Sequence, residues 1–504
     1  MNIKRVNFIS ALGLIIWAVW FGRLCWLQIF CAPYSKTLAK KQHEQRIGLL
    51  SERGKIFDAQ MRVLAFNLKG KRIYSYLTSR ESGQYLAASI LGTVGKDGEG
   101  LGGIEWEYDA ILRGENGWAI FQKDASGKPH YSPEYPQRIP KAGMDLILTL
   151  DIDIQSTAQM VLKETVQKFQ AKGGTIIIMK VKTGEILAVA NEPLSPLKNQ
   201  AVEEVFEPGS TFKAFLLAAA LEEKVLNSSD SLYGANGQII IAGDTIREAE
   251  GHKYGWLTLS GAIEKSSNIC AVEISKRLGP QRIYQYARSF GFGCRTGIDL
   301  SGEAEGFLTT PETWSIVKTA NISFGQGLSV TPLQLACGFA ALANKGILIA
   351  PRIIKAVRNG EIVQESSPLP VRKVISEETA LKVREILVKV VEQGTGIRAK
   401  VEGLQIAGKT GTAQKKAEGQ KSYAKGKTVA SFAGYFPAED PLLVIVVIVD
   451  EPKSGGSGML VAAPAFKRVT EMILSQLSQE KIQISNIKNQ NLKKMEREEK
   501  ELNF

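Results

Sequence analysis

Apolar residues crowd the start of the chain. VNFISALGLIIWAVWFGRLCWLQIF, residues 6 to 30, carries a single charge, Arg23. A bilayer core needs about 20 such residues, and an arginine near one end can extend to the interface. Lys4 and Arg5 precede the run, which sets the tip on the cytoplasmic side and everything after residue 31 outside. A cleaved signal peptide would have a shorter apolar region and a small-residue cleavage site. Lipoprotein processing at Cys31 would want a small residue where Phe30 stands. The expected plan therefore opens with a cytoplasmic tip, residues 1–5, and a retained membrane anchor, residues 6–30.

Beyond the anchor the pattern changes. Residues 32 to about 49 are polar and helix-compatible, a stalk. From there to about 145 short apolar pieces alternate with glycines, as in GTVGKDGEGLGG, which predicts a β-rich pedestal within residues 31–145. DLILTLDIDIQSTAQMVLKETVQKF alternates like a strand and then turns helical. GGTIIIMKVKTGEILAVANEP predicts two strands around Lys182-Thr183-Gly184. Helical periodicity dominates from 211 to about 345, and LQIAGKTGTAQ, KTVASFAGYFP and PLLVIVVIVDEP return to strands before a closing helix, VAAPAFKRVTEMILSQL. Strands at both ends of residues 146–478, with helices between, predict an α/β domain whose sheet joins distant segments. Residues 479–504 form a charged tail, and no internal repeat is evident.

Composition narrows the function. The net charge is +12, yet the 63 Lys and Arg are spread along the chain. Without an arginine-rich arm or aromatic–basic interleaving, a nucleic-acid surface is not expected. Five cysteines show no CxxC spacing, against a disulfide framework or a zinc site, and are expected as free thiols. GLQIAGKT, residues 403 to 410, matches the phosphate-loop pattern, and IVVIVDE imitates its acidic partner strand. A phosphate loop must run directly into a helix whose N-terminus meets the anion. Here GTAQKKAEGQKSYAKGK follows, polar and glycine-broken, which argues against nucleotide binding.

The chemistry lies in EPGSTFKAFLLAAALEE, where Ser210 and Lys213 stand three residues apart at the start of a helix. On one helical face the amine reaches the hydroxyl. An ordinary lysine, with a pKa of about 10.4, is protonated at neutral pH and cannot activate a serine. Burial and a second cation both lower that value, and AFLLAAAL offers the burial. On its own the pattern is also that of a capping serine with a surface lysine. Two further stretches complete it: IEKSSNIC, with Ser266 and Asn268, and AGKTGTAQ, with Lys409, Thr410, Gly411 and Thr412. The first supplies a hydroxyl and an amide for Lys213. The second supplies the other cation, a hydroxyl for a substrate carboxylate, and a glycine that lets a ligand lie along a strand edge. His43, His130 and His252 fall outside these stretches, so a Ser-His-Asp site is not expected.

The order S-x-x-K, S-x-N, K-T-G resembles the penicilloyl serine transferases, and within them the class B penicillin-binding proteins. The resemblance runs from the anchor to about residue 475 through RLCWLQ, RGKIFD, GLGGIE, TGEILAVANEP, EPGSTFK, KSSN, FGQGLSVTPLQLA, AGKTGTAQ and SFAGYFP. It implies an antiparallel sheet with helices on both faces and an all-helical subdomain. It implies a D,D-transpeptidase in which Ser210 forms the acyl-enzyme and Lys213 is the base. Ser266 and Asn268 would relay the proton and hold the acyl chain, and Lys409 and Thr410 would bind the terminal carboxylate. The N–H groups of Ser210 and Thr412 would form the oxyanion hole. The implied partners are peptidoglycan stem peptides, β-lactams, a multi-span glycan polymerase and division-complex membrane proteins, with no metal or organic cofactor. The implied location is the inner (cytoplasmic) membrane, single-pass, with the catalytic domain periplasmic. KSSN and GLSVTPLQLA favour the cell-division branch over the elongation type. A β-lactam hydrolase and a non-catalytic scaffold are the rival readings. The chain departs from the family at Ala59-Gln60-Met61, where an arginine and an Asn-Gly turn are usual, and at Gly102, where serine is usual.

Overall fold

The structure, a computed structural model, describes residues 3–68, 70–77, 84–123, 128–131, 135–416, 423–453 and 456–478. The expected tail, 479–504, lies outside the described residues. The helix Ile3–Cys25 continues through a π-helical turn, Trp26–Phe30. Together they make 28 residues, whose most apolar 18-residue stretch has a mean hydropathy of 1.8, long and apolar enough to cross a membrane. The Arg23 guanidinium lies 5.4 Å from the centre of the Trp26 ring.

The chain forms two compact units, residues 1–54 with 113–143, and 55–112 with 144–504. In the first, strand Gly117–Lys123 pairs antiparallel with Glu44–Leu49, Pro129–Tyr131 and Gln137–Arg138. Residues 55–112, expected within the pedestal, fall in the second unit, and the reason is pairing. Ile56–Phe57 lies parallel to Asp145–Leu148 in a six-stranded sheet. Ile56, Leu64 and Ile90 are buried in the same apolar cluster as the helices of the second unit.

The departure at Ala59-Gln60-Met61 falls in this unit. The buried Asp58 carboxylate accepts from the N–H groups of Gln60 and Arg62 at 2.9 and 2.8 Å, closing a tight turn. Arg62 then pairs with Asp58 at 2.7 Å, Asp153 at 2.6 Å and Asp151 at 3.3 Å. Met61 holds the left-handed position of this turn, φ 65°, at a cost of about 1–2 kcal/mol for a non-glycine residue.

A five-stranded antiparallel sheet carries the second unit. Its strands are β1 Gly173–Lys180, β2 Ile186–Glu192, β3 Ala407–Lys416, β4 Tyr423–Phe436 and β5 Leu443–Asp450, in the order β2-β1-β5-β4-β3. The unbroken apolar run of β1 has a simple cause. Ile176 and Ile178 face one cluster, against helix α1 Ile152–Lys168 and the helical residues 462–478. Ile177 and Met179 face the other, against helices α2 Lys213–Glu222 and α4 Pro332–Ala343. Covered on both faces, the strand reads as continuously hydrophobic. Helix α2 is buried from Lys213 to Leu221, pinned by Phe215 against Phe290, Phe292 and Phe339 at ring-centre distances of 4.8–5.3 Å.

The fold is thus the expected α/β arrangement, helices on both faces of an antiparallel sheet. One region differs from the expectation. Between 211 and 345 the chain also makes the strand pairs Ser231–Tyr233 with Trp256–Thr258 and Gln238–Ile241 with Asp244–Arg247. Their short runs sit between glycine turns, too short for a period to register. GLQIAGKT leads into the strand β3 and not into a helix, so its phosphate-loop spelling has no anion-binding helix behind it. Met61 is 44% exposed, and Met61→Asn places there a residue that tolerates the left-handed region. It is expected to stabilise the chain by about 0.5–1 kcal/mol, read as a higher denaturant midpoint at unchanged slope; an unchanged or lower midpoint would refute the strain.

Candidate active site

Ser210 stands on a 3-10 turn, Gly209–Phe212, that runs straight into α2. In such a turn residues three apart eclipse, which stacks the Ser210 hydroxyl and the Lys213 amine on one side. Backbone approach places this turn against β3. Gly209 adopts φ 55°, and a Cβ there would lie 2.8 Å from the Thr412 carbonyl oxygen. A Cβ on Gly411 would lie 2.2 Å from Ser431 Oγ and 2.9 Å from the Pro208 carbonyl. Only residues without side chains allow the two backbones to meet this closely. On the other side Gly209 N–H donates to the Gly325 carbonyl at 3.0 Å, which gives FGQG its place at the site.

Two lysines lie beneath. Lys213, fully buried, donates to the Ser266 carbonyl at 2.6 Å and to Asn268 Oδ1 at 2.7 Å. Lys409, also fully buried, donates to Ser266 Oγ at 2.9 Å and to the Thr410 carbonyl and hydroxyl at 3.1 and 3.3 Å. Ser266 Oγ is 3.4 Å from Lys213 Nζ as well, so one hydroxyl bridges both amines. Ser266 reaches that position in a left-handed conformation, φ 55°, a strain of about 1–2 kcal/mol. Its neighbours hold it there. Ser267 caps helix α3, Asn268–Leu278, by accepting from the Cys270 N–H at 3.0 Å. The Asn268 amide donates to the Arg247 carbonyl at 3.1 Å, which turns its oxygen toward Lys213.

Burial dominates the electrostatics. Desolvation lowers Lys213 from the usual lysine value to about 7, against the opposing pull of Glu248 and Cys270. Burial, then the charge of Lys213, pushes Lys409 well below the lysine range. Like charges sharing one hydroxyl in a dry pocket do not both ionise readily, so protonation belongs to the pair. Among the described residues the Ser210 hydroxyl makes no hydrogen bond.

The eight residues singled out in the sequence therefore meet, in different senses. Lys213, Ser266, Asn268 and Lys409 converge by their side chains, and Ser210 stands on the turn that leads into Lys213. Thr410 lies at the edge, donating to Thr395 Oγ1 at 3.0 Å. Gly411 supports the turn. Thr412 offers its backbone to Gly209, while its exposed side chain accepts from the Gly458 N–H at 3.0 Å. β3 is the edge of the sheet, leaving half of its backbone groups unpaired by a neighbouring strand. Beside the turn a cavity of about 710 Å³ is lined by Phe206, Glu207, Leu328, Ala413 and Gln414, among others. Sequence reasoning missed Thr395 and, more consequentially, Glu248. That buried carboxylate accepts from the Ser267 hydroxyl and from the N–H groups of Asn268, at 2.7 Å, and Ile269, at 3.3 Å. One of two acids in the polar run TIREAEGH, it carries no spacing that would have revealed it.

The chain is similar to known proteins. Residues 174–471 match the family described as penicillin binding protein transpeptidase domain. The chain is 32% identical to stage V sporulation protein D of Bacillus subtilis, over 94% of this chain and 86% of that one. It is 36% identical to penicillin-binding protein PbpB of Mycolicibacterium smegmatis, over 78% of this chain and 64% of that one. Penicillin binding protein 3 of Mycobacterium tuberculosis, solved in apo form and complexed with aztreonam, shares the fold. The apo form has a TM-score of 0.76 and 32% identity over 86% of this chain and 97% of that one. The chain belongs to the penicillin-binding protein transpeptidase family, within its class B.

Proposed function

We propose that this chain cross-links peptidoglycan stem peptides through an acyl-enzyme on Ser210, and that β-lactams acylate the same hydroxyl. The observation that carries this reading is the buried pair Lys213 and Lys409 sharing Ser266 Oγ one turn below an unpartnered serine. The terminal carboxylate of a D-Ala-D-Ala stem binds at Lys409 and Thr410. Its charge keeps the proton on Lys409, and repulsion then favours the neutral amine on Lys213. Ser210 Oγ bonds to the penultimate carbonyl carbon as its proton passes to Lys213 Nζ. The N–H groups of Ser210 and Thr412 receive the oxyanion, where one donor is typically worth about 10²–10³ in rate. The C–N bond breaks, and Ser266, between the two amines, hands a proton to the departing D-alanine. The amine of a second stem attacks the ester carbonyl, its proton leaves by the same route, and Ser210 is released. Side chains and substrate supply every atom of these steps.

The N-terminal apolar helix is the proposed single-pass anchor in the cytoplasmic membrane. Lys4 and Arg5 set its tip inside and the catalytic unit in the periplasm. A multi-span glycan polymerase and division-complex membrane proteins are the proposed neighbours, with the septum as the place of work.

Three outcomes are expected. A fluorescent penicillin labels the wild-type chain and not Ser210→Ala; equal labelling of the two would sink the acyl-serine reading. The second-order rate of labelling rises with pH and is half-maximal near 7, since below that value Lys213 holds its proton; a flat profile between about pH 5.5 and 8.5 would remove Lys213 as the base. In cells, a C-terminal tag is cleaved by protease added to spheroplasts and concentrates at the division site. Protection of the tag would reverse the orientation, and an even side-wall distribution would assign the elongation role.

A further inference from the structure

We propose that Glu248 is a positioning residue for this reaction, holding the Ser266–Asn268 loop against the two lysines and setting the charge that Lys213 experiences. The inference rests on the acyl-serine reading above and extends it to a residue outside the three motifs. Glu248 is 6% exposed and sits just beyond the strand Asp244–Arg247. Its Oε2 accepts from the Asn268 N–H at 2.7 Å, and its Oε1 from the Ser267 hydroxyl and the Ile269 N–H. All three donors belong to the start of α3, where a negative charge meets unpaired N–H groups and the positive end of the helix dipole. The same strand end fixes Asn268 from its other side, through the Arg247 carbonyl.

Geometry makes the link to catalysis. Asn268 Oδ1 and the Ser266 carbonyl are two of the acceptors of Lys213. Ser266 is strained, and a strained residue persists only where its surroundings fix it. Releasing the loop at Glu248 therefore loosens Ser266 and Asn268 together. The charge acts separately: the Glu248 carboxylate favours the ammonium form of Lys213, against burial. The other ionisable groups around this pair are Lys409 on β3 and Cys270 on α3. Tyr254, Glu250 and Glu273 lie further out, and Lys265 stacks over the Tyr254 ring at 5.3 Å.

Two substitutions separate position from charge. In the full-length chain in detergent, the second-order rate of labelling by a fluorescent penicillin is followed from about pH 5.5 to 9, with Ser210→Ala as the blank. Glu248→Gln is expected to lower the plateau about tenfold or more and to move the half-maximal point to lower pH by about half a unit or more. Glu248→Asp keeps the charge and shortens the reach, so its half-maximal point stays in place while the plateau falls about threefold or more. Glu248→Asp acylating at the wild-type rate at every pH overturns the positioning role; it also decides the matter if Glu248→Gln does not fold. An unmoved half-maximal point in a folded Glu248→Gln chain overturns the electrostatic role. A wild-type chain that does not label would fail the acyl-serine reading first, and this inference with it.

Discussion

Two ammonium groups cannot both keep their protons in one dry pocket, and the site is organised around that constraint. Lys213 and Lys409 are each without solvent exposure, and each lies within hydrogen-bonding distance of the same Ser266 hydroxyl. In water the two amines would titrate near the ordinary lysine value and neither would serve as a base. Burial lowers both, and their proximity makes the loss of one proton easier than the loss of two. What remains is an asymmetry. Lys213 sits one turn from Ser210, the proposed nucleophile, while Lys409 lies on the strand edge beside Thr410, where an anionic substrate end would hold its proton. In the proposed mechanism a carboxylate arriving at that edge selects which amine becomes neutral, tying activation of the serine to occupancy of the site.

Holding the pair requires three separate pieces of chain to approach more closely than side chains normally permit. The Ser210 turn meets β3 at Gly209 and Gly411, where a Cβ on either would fall within 2.9 Å of a facing carbonyl oxygen. The third piece, the loop before α3, cannot use glycine because it must supply a hydroxyl. Ser266 adopts the left-handed conformation instead, and the cap at Ser267 and the carboxylate of Glu248 hold it there. The strain is local, while the restraint comes from a strand pair that the helical periodicity of the region conceals.

Much of this could be read in the sequence, and the physical reason is spacing. Ser210 and Lys213 are local to one turn, so their relation follows from helix geometry. The apolar strand runs of β3, β4 and β5 and the helix after them are likewise local patterns, as is the apolar anchor. That Ser266 and Lys409 join them was inferred from residue types the chemistry needs, and from the family's order of motifs. Contacts without local signature stayed hidden. Glu248 is one, a single acid whose partners lie 19 to 21 positions away. The placement of residues 55–112 is another, because two residues, Ile56 and Phe57, decide it by pairing with Asp145–Leu148. The turn at Met61 shows the opposite case. There the chain lacks the usual Asn-Gly letters, yet Asp58 and Arg62 close it through paired backbone groups and the Asp58 carboxylate.

The constraint also explains why so small a site sits in so large a body. Lowering Lys213 from 10.5 to about 7 means that the unfolded chain binds the proton more tightly than the folded one across that interval. Folding stability from this group therefore rises with pH between those values and, below about 7, is diminished by about 5 kcal/mol. That is comparable to the entire stability of a modest domain, before the strain at Ser266 is counted. Such a deficit is tolerable only where burial elsewhere is extensive. The sheet provides that burial by being covered on both faces, with Ile176, Ile178 and Val447 on one side and Ile177, Met179 and Val446 on the other. A sheet packed on one face alone would offer a single core. The doubled core lets the edge strand β3 carry an unfavourable lysine and still remain in register with β4 from Ala407 to Gln414.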